Sequence, residues 1–276
     1  MTGITAAQKL QEVSALLAVP NSRIIAGGTT FSQNTEEDLH PVSISGLEGL
    51  DSIKQKGSRI EIGPLVKLNT LAENDLIRAC APALAEAAGN VGTPEVRSRG
   101  TLGGNLAGDR VGDTAAALLA CGAKLTIKTD SDYREILIDR FWNPAGKNDL
   151  QYDEWITRIT IQIPGDPYTG AAFGKYGVWG QTSEPNAAAA VRLCLDGNGR
   201  VSAIRGGLRL GPSFIRRMFP LEKALKNRAP TEENVDKAVC SMLSAVQGQI
   251  GEEAFSAFLK DIVQRSLIMA QERRAL

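Results

Sequence analysis

Two Gly-Gly elements do most to limit what this chain can fold into. One is Ile24-Ile-Ala-Gly-Gly-Thr-Thr-Phe31 and the other is Arg99-Gly-Thr-Leu-Gly-Gly-Asn105. Paired glycines reach positive φ and let a backbone come close to a ligand. Successive N–H groups then converge into a nest for phosphate oxygens, and Thr and Asn add neutral donors. A hydrogen bond to a charged oxygen contributes roughly 1.5–3 kcal/mol net, so two such turns would hold a diphosphate without a cationic clamp. Neither element fits GxGxxG or the P-loop pattern. Taken singly, each is a turn of the kind glycine commonly makes; taken together, they fit a dinucleotide site.

Charge and composition narrow the partners. Lys+Arg and Asp+Glu both number 31 in 276 residues. A nucleic-acid binder normally carries a basic excess, so a small molecule or another protein is the expected partner. No apolar run approaches the roughly 20 residues of a membrane span. Lys9 and Glu12 interrupt the N-terminus where a signal peptide would be uniformly apolar, so a cytoplasmic location is expected. Cys80, Cys121, Cys194 and Cys240 are far apart. They form no CxxC pair, and neither a metal centre nor a disulfide framework is expected. The single histidine, His40, lies beside Pro41. Acid–base catalysis that relies on histidine is therefore not expected, and the chemistry falls to a bound cofactor.

Periodicity then places the elements. Thr5-Ala-Ala-Gln8 has the spacing of a capping box before a helix carrying Leu10, Val13, Leu16 and Leu17. Arg23–Ala26 and Arg59–Gly63 fit strands. Thr70-Leu-Ala-Glu73 is a second capping box, opening a helix with Leu71, Leu76 and Ile77. Pro82 starts a short helix that Gly89 would end as the residue after its C-cap. A polar, Gly-rich stretch runs from Asn90 to Asp109. Asp113 is placed to cap a helix over Thr114–Cys121, which stops at Gly122. Strands are expected at Ala123–Lys128, Glu154–Ile163, Ala172–Tyr176 and Ala187–Leu195. Asp196-Gly-Asn-Gly199 turns the last of these into Arg200–Leu210. Beyond Pro220 the pattern is helical, and Thr231 caps one of these helices. Pro164-Gly-Asp-Pro167 is the expected boundary between two halves.

Ala26-Gly-Gly-Thr29, Ala83-Leu-Ala-Glu-Ala-Ala-Gly-Asn-Val-Gly92 and Pro94-Glu-Val-Arg-Ser-Arg-Gly-Thr-Leu-Gly-Gly-Asn-Leu-Ala107 together resemble the FAD-binding medium subunit of the molybdenum hydroxylases. Carbon monoxide dehydrogenase and xanthine dehydrogenase belong to that family. The resemblance extends along nearly the whole chain. It implies an α+β fold in which a two-part FAD-binding domain precedes a C-terminal antiparallel sheet with helices. The two parts are a small N-terminal α/β subdomain (1–57) and a larger mixed-sheet subdomain (58–165); the C-terminal domain is 168–276. It implies FAD as cofactor, a molybdenum-cofactor large subunit and a 2Fe–2S small subunit as partners, and NAD or another acceptor as electron sink.

It also implies roles for individual residues. Ile24, Ile25, Ala26, Gly27, Gly28, Thr29, Thr30 and Phe31 would wrap the diphosphate, chiefly through main-chain N–H groups. Thr101, Gly103, Gly104 and Asn105 would supply a second diphosphate turn. Val91, Asp113, Lys175 and one of Arg158 or Ile159 would meet the cofactor elsewhere. Thr30 stands where family members usually carry an acid. Leu106–Asp113 lacks the family's proline and is one residue shorter, so Asp109 competes with Asp113. Capping, solvated and core roles stand beside these for Asp113, Lys175, and Tyr176 with Trp179. Arg97 and Arg99 fit phosphate, a partner or solvent alike. Two other functions fit the chain: an assembly or nucleotide-binding subunit that has lost FAD, and a stand-alone flavin reductase.

Overall fold

The computed structural model describes residues 3–29, 38–108, 110–177, 187–246 and 252–275. Three sheets succeed one another in chain order. The first contains β1 (Thr5–Ala6), β2 (Ser22–Ile25) and β3 (His40–Ser43), ordered β1-β3-β2 and parallel throughout. The second contains β4 (Ile53–Lys56), β5 (Arg59–Ile62), β6 (Lys124–Lys128), β7 (Tyr133–Leu137) and β8 (Trp155–Gln162). Its order is β4-β5-β8-β6-β7 and all its pairings are antiparallel. The third contains β9 (Thr169–Tyr176), β10 (Ala187–Leu195), β11 (Val201–Leu210) and β12 (Phe214–Arg217), antiparallel in the order β12-β11-β10-β9. This is the α+β class the resemblance implies, with the second sheet antiparallel throughout and not mixed.

Several local expectations need correction. Helix α1 (Leu10–Leu17) starts after Thr5, which is paired with Val42 in the parallel ladder and so is extended. The Glu12 carboxylate makes the cap instead, accepting from the N–H groups of Gln8 and Lys9 at 2.9 and 3.2 Å. Thr70 lies inside α2 (Leu68–Glu73) and does not open it. The expected single helix is two, because Asn74 leaves the helical region at ψ 122° and caps α3 (Asp75–Cys80) by accepting from the Ile77 N–H. Gly89 belongs to α4 (Pro82–Gly89), which Asn90 closes.

The Gly-rich stretch is partly helical. Thr93 and Thr101 cap α5 (Pro94–Arg99) and α6 (Leu102–Ala107), accepting from the N–H groups of Val96 and Gly104. Pro94 at N1 costs α5 no hydrogen bond, and its fixed φ already suits a helix.

Helix α7 (Thr114–Cys121) ends at Gly122, whose φ of +66° is the left-handed conformation glycine adopts without strain. All eight residues are buried. It packs on β10 and β11, and a Cβ on Gly207 would collide with the Ala116 carbonyl oxygen. One core therefore runs from Ile60, Ile62 and Leu125 through Leu118 to Phe173 and Ala188. Helices α8 (Phe219–Leu225), α9 (Glu232–Ser244) and α10 (Glu252–Ala275) bury the other side of the third sheet around Leu193, Leu208 and Ile262. A small third core joins α1 to Trp155. Among the described residues no helix is long and apolar enough to cross a membrane.

Candidate functional site

The first glycine turn leaves β2 at Ile25. Gly28 has φ +66°, which a side chain would strain. Among the described residues, the N–H groups of Gly27, Gly28 and Thr29 have no protein acceptor. That leaves a run of successive donors of the sort that nests around an anion.

The second turn is built differently. It is the start of α6, and its N–H groups are already engaged. Leu102 donates to Val66 O at 3.0 Å, Gly103 to Pro64 O at 2.8 Å and Asn105 to Thr101 O at 2.9 Å. Gly104 donates to Thr101 Oγ1 at 3.2 Å. What this turn offers is closeness. A Cβ on Gly104 would meet only Thr101 Oγ1, at 3.1 Å. The Asn105 side chain turns away and accepts from the N–H and hydroxyl of Thr114 at 3.2 and 2.6 Å. Asn105 thus caps α7; Asp113 makes no cap bond.

The two turns touch. A Cβ on Gly27 would strike the Arg99 carbonyl. Lys67 Nζ donates to that same oxygen at 3.1 Å. Both turns line one cavity of about 510 Å³, a volume ordinary for a cofactor site. Its walls include Ile24, Ile25, Ala26, Gly27, Gly28, Thr29, Val91, Thr101, Gly103, Gly104 and Asn105. Thr30, Phe31, Asp109 and Trp179 lie outside the described residues.

Four expected site residues do not line this cavity. Asp113 is buried, accepting from Arg209 at 2.8 Å and from Lys175 at 2.6 Å. Lys175 also donates to Asn90 O at 2.7 Å, next to Val91. Arg158 pairs with Glu61 at 3.6 Å and Ile159 is wholly buried in the main core. The register of β8 against β6 shifts between Thr126 and Ile127, a bulge that re-aims the strand, and Trp155 and Ile156 reach the cavity instead. Tyr176 packs at a tilt against Phe255 and Phe258 at centroid distances of 5.9 and 5.6 Å, so it serves the C-terminal core. The Arg97 guanidinium donates to Val91 O and Gly92 O at 3.3 and 2.9 Å, fixing that turn. A guanidinium nitrogen of Arg99 lies 3.7 Å from the position of a Cβ on Gly28.

The wall formed by Asn148, Leu150, Gln151, Tyr152 and Glu154 carries no motif and is not legible in the sequence. Arg134 holds it. Its guanidinium donates to both Glu154 oxygens at 2.8 and 2.7 Å and to Asp149 Oδ2 at 2.9 Å. Hydrogen bonding from Arg134 keeps the Glu154 carboxyl below its ordinary range, despite burial.

Fold and cavity together define an α+β protein with two apposed glycine turns on one cavity. Residues 1–164 match the family described as the FAD binding domain in molybdopterin dehydrogenase. The nicotinate dehydrogenase FAD-subunit of Eubacterium barkeri is 31% identical over 182 residues, 62% of this chain and 61% of that protein. The xanthine dehydrogenase FAD-binding subunit of Escherichia coli O157:H7 is 29% identical over 268 residues, covering 94% and 90%. A solved carbon monoxide dehydrogenase from Hydrogenophaga pseudoflava superposes with a TM-score of 0.86 at 27% identity, over 99% of this chain and 98% of that one. The chain belongs to this family of FAD-binding domains of molybdopterin dehydrogenases: it is an FAD-dependent oxidoreductase subunit.

The residues present fit FAD. Among the described residues, three successive N–H groups are unengaged at one turn, and the opposite turn has a glycine face that a Cβ would fill.

Proposed function

We propose that the chain carries electrons between 2Fe–2S centres on a small partner subunit and NAD⁺ or another acceptor, within a complex whose large subunit holds the molybdenum cofactor. The observation that carries this reading is the junction of the two glycine turns on one cavity. Bound FAD supplies the redox chemistry, taking up electrons and releasing them to an acceptor. The chain's residues position it. N–H groups of Gly27, Gly28 and Thr29 bind the diphosphate, and Gly104 allows its close approach. Val91 packs beside the cofactor.

Asp113 and Lys175 act at the Asn90–Val91 end through their field, not through contact. With Arg209 they form a charged cluster at that end, and charge near the ring tunes the potential at which it gains electrons. Arg158 and Ile159 support β8 from outside the cavity. Residues 1–57 and 58–165 act together as the FAD-binding part, with 168–276 as the C-terminal unit.

Purification of the full chain tests this. A yellow protein releasing FAD and co-purifying with two further subunits supports it. A yellow protein without partners points to a stand-alone reductase. A colourless protein that cannot be reconstituted points to an assembly subunit.

A further inference from the structure

The outer face of the second sheet carries a charge that the chain as a whole does not. Register places Lys54 opposite Glu61, Glu61 opposite Thr160 and Thr160 opposite Lys124. Thr126 stands between Arg158 and Glu135, and Lys56 lies opposite Arg59. Residues two apart on a strand share a face, so all of these lie on one side. The other side carries Ile60, Ile62, Leu125 and Ile159 into the core. On the strands of the outer face, Lys54, Lys56, Arg59, Lys124 and Arg158 are exposed cations, against the carboxylates of Glu61 and Glu135 alone. Over the whole chain the two signs balance. Glu61, 9% exposed, pairs with Lys56 at 2.8 Å, Arg59 at 3.4 Å and Arg158 at 3.6 Å. One carboxylate does not satisfy three cations. Among the described residues neither guanidinium makes a hydrogen bond, and the two side chains are 51% and 45% exposed.

We infer that this face docks an acidic surface of a partner subunit, with Arg59 and Arg158 binding its carboxylates; this rests on the multi-subunit reading above. Charge complementarity selects the occupant. A guanidinium fork takes a carboxylate through two parallel hydrogen bonds, and Glu61, paired with both arginines, keeps the forks together. A second copy of the chain would set like charges against each other across a two-fold axis, which is unfavourable. A protein fits better than a nucleic acid, because Tyr133 and Leu137 stand on the same face, opposite Lys128 and Lys124, and are 53% and 44% exposed. Protein interfaces draw their anchors from aromatic residues and arginine together.

The test uses the full chain co-expressed and purified with its partner subunits. Arg59→Gln combined with Arg158→Gln removes both forks and leaves Glu61 its Lys56. The double variant is expected to keep its FAD and to weaken assembly about tenfold, read by mass photometry of the complex on dilution. Arg200→Glu, exposed on the hairpin of the third sheet, should leave assembly unchanged. Should the double variant fold poorly, the wild-type complex answers the question. A carbodiimide joins amines to carboxylates in contact, and it is expected to link Lys54 or Lys124 to an Asp or Glu of a partner subunit, identified by peptide mass spectrometry. Assembly unaltered in a folded double variant overturns the inference, as does a wild-type complex in which neither lysine is linked to a partner. Binding of a duplex DNA oligonucleotide by the wild-type chain, lost in the double variant, overturns it as well, since the face would then serve a nucleic acid. A wild-type chain that assembles with no other subunit removes the multi-subunit reading itself, and this inference with it; a complex that forms regardless of the two arginines removes the inference alone.

Discussion

Gly27 and Arg99 meet backbone to backbone, although most of the second sheet's helical cover separates them in sequence. The Gly27 Cα faces the Arg99 carbonyl with no room for a methyl group. Gly27→Ala must push the two turns apart. Overpacking of this kind costs about 1–3 kcal/mol, and the cavity loses its shape where the turns meet. The expected result is a lower melting temperature together with a flavin-to-protein ratio well below that of the wild type, read from absorbance of the purified chain.

Gly104 answers a different question. Its Cβ direction is open except for Thr101 Oγ1, and it lies in a helix, where a side chain is no burden to the backbone. Gly104→Val should therefore melt close to wild type and still lose FAD, because the new side chain fills the space a phosphate must enter. Normal flavin content in a folded Gly104→Val chain would remove the second turn from the site.

Asp113 is expected to matter for stability before it matters for flavin. It neutralises Arg209, whose side chain is only 4% exposed. Asp113→Asn takes a carboxylate away from a buried cation and is expected to lower stability. Urea denaturation of the apo chain should show it directly. A variant with unaltered stability but less FAD would place Asp113 in contact with the cofactor.

The Arg134–Glu154 pair sets a pH dependence. Arg134 lowers the Glu154 carboxyl below its ordinary value, which is about 4.3. A depressed carboxylate contributes stability in full above the ordinary value and loses it as pH falls through the lowered one. Wild-type unfolding midpoints should therefore drop on acidification below about pH 4, and Glu154→Gln should flatten that part of the curve. Because the pair anchors Asn148–Glu154 along the cavity, the same variant should release FAD more readily at neutral pH.

Legibility in the sequence divides along physical lines. The α7 boundaries and the β10–β11 hairpin are legible because each end is marked by its own chemistry, Gly122 in one case and Asp196-Gly-Asn-Gly199 in the other. The two turns are legible because each sets paired glycines beside Thr or Asn; the contact between them, Gly27 against Arg99, is not. The cap at α7 is not, because Asn105 reaches it across a fold in the chain that no nearby spacing records. Thr5 resembles a cap because ladder pairing with Val42 cannot be seen from its neighbours. Trp155 is hidden for a similar reason. It opens β8 four residues before Ile159, and no motif marks that end of the strand as the cavity wall.

Helix α7 has no face turned to water. One side belongs to the cofactor half and the other rests on β10 and β11, with Gly207 shaved down to admit it. A gene cut after residue 165 would thus leave a bare stripe of alanine and leucine at the surface, prone to self-association. The C-terminal part is in this sense the missing wall of the flavin half.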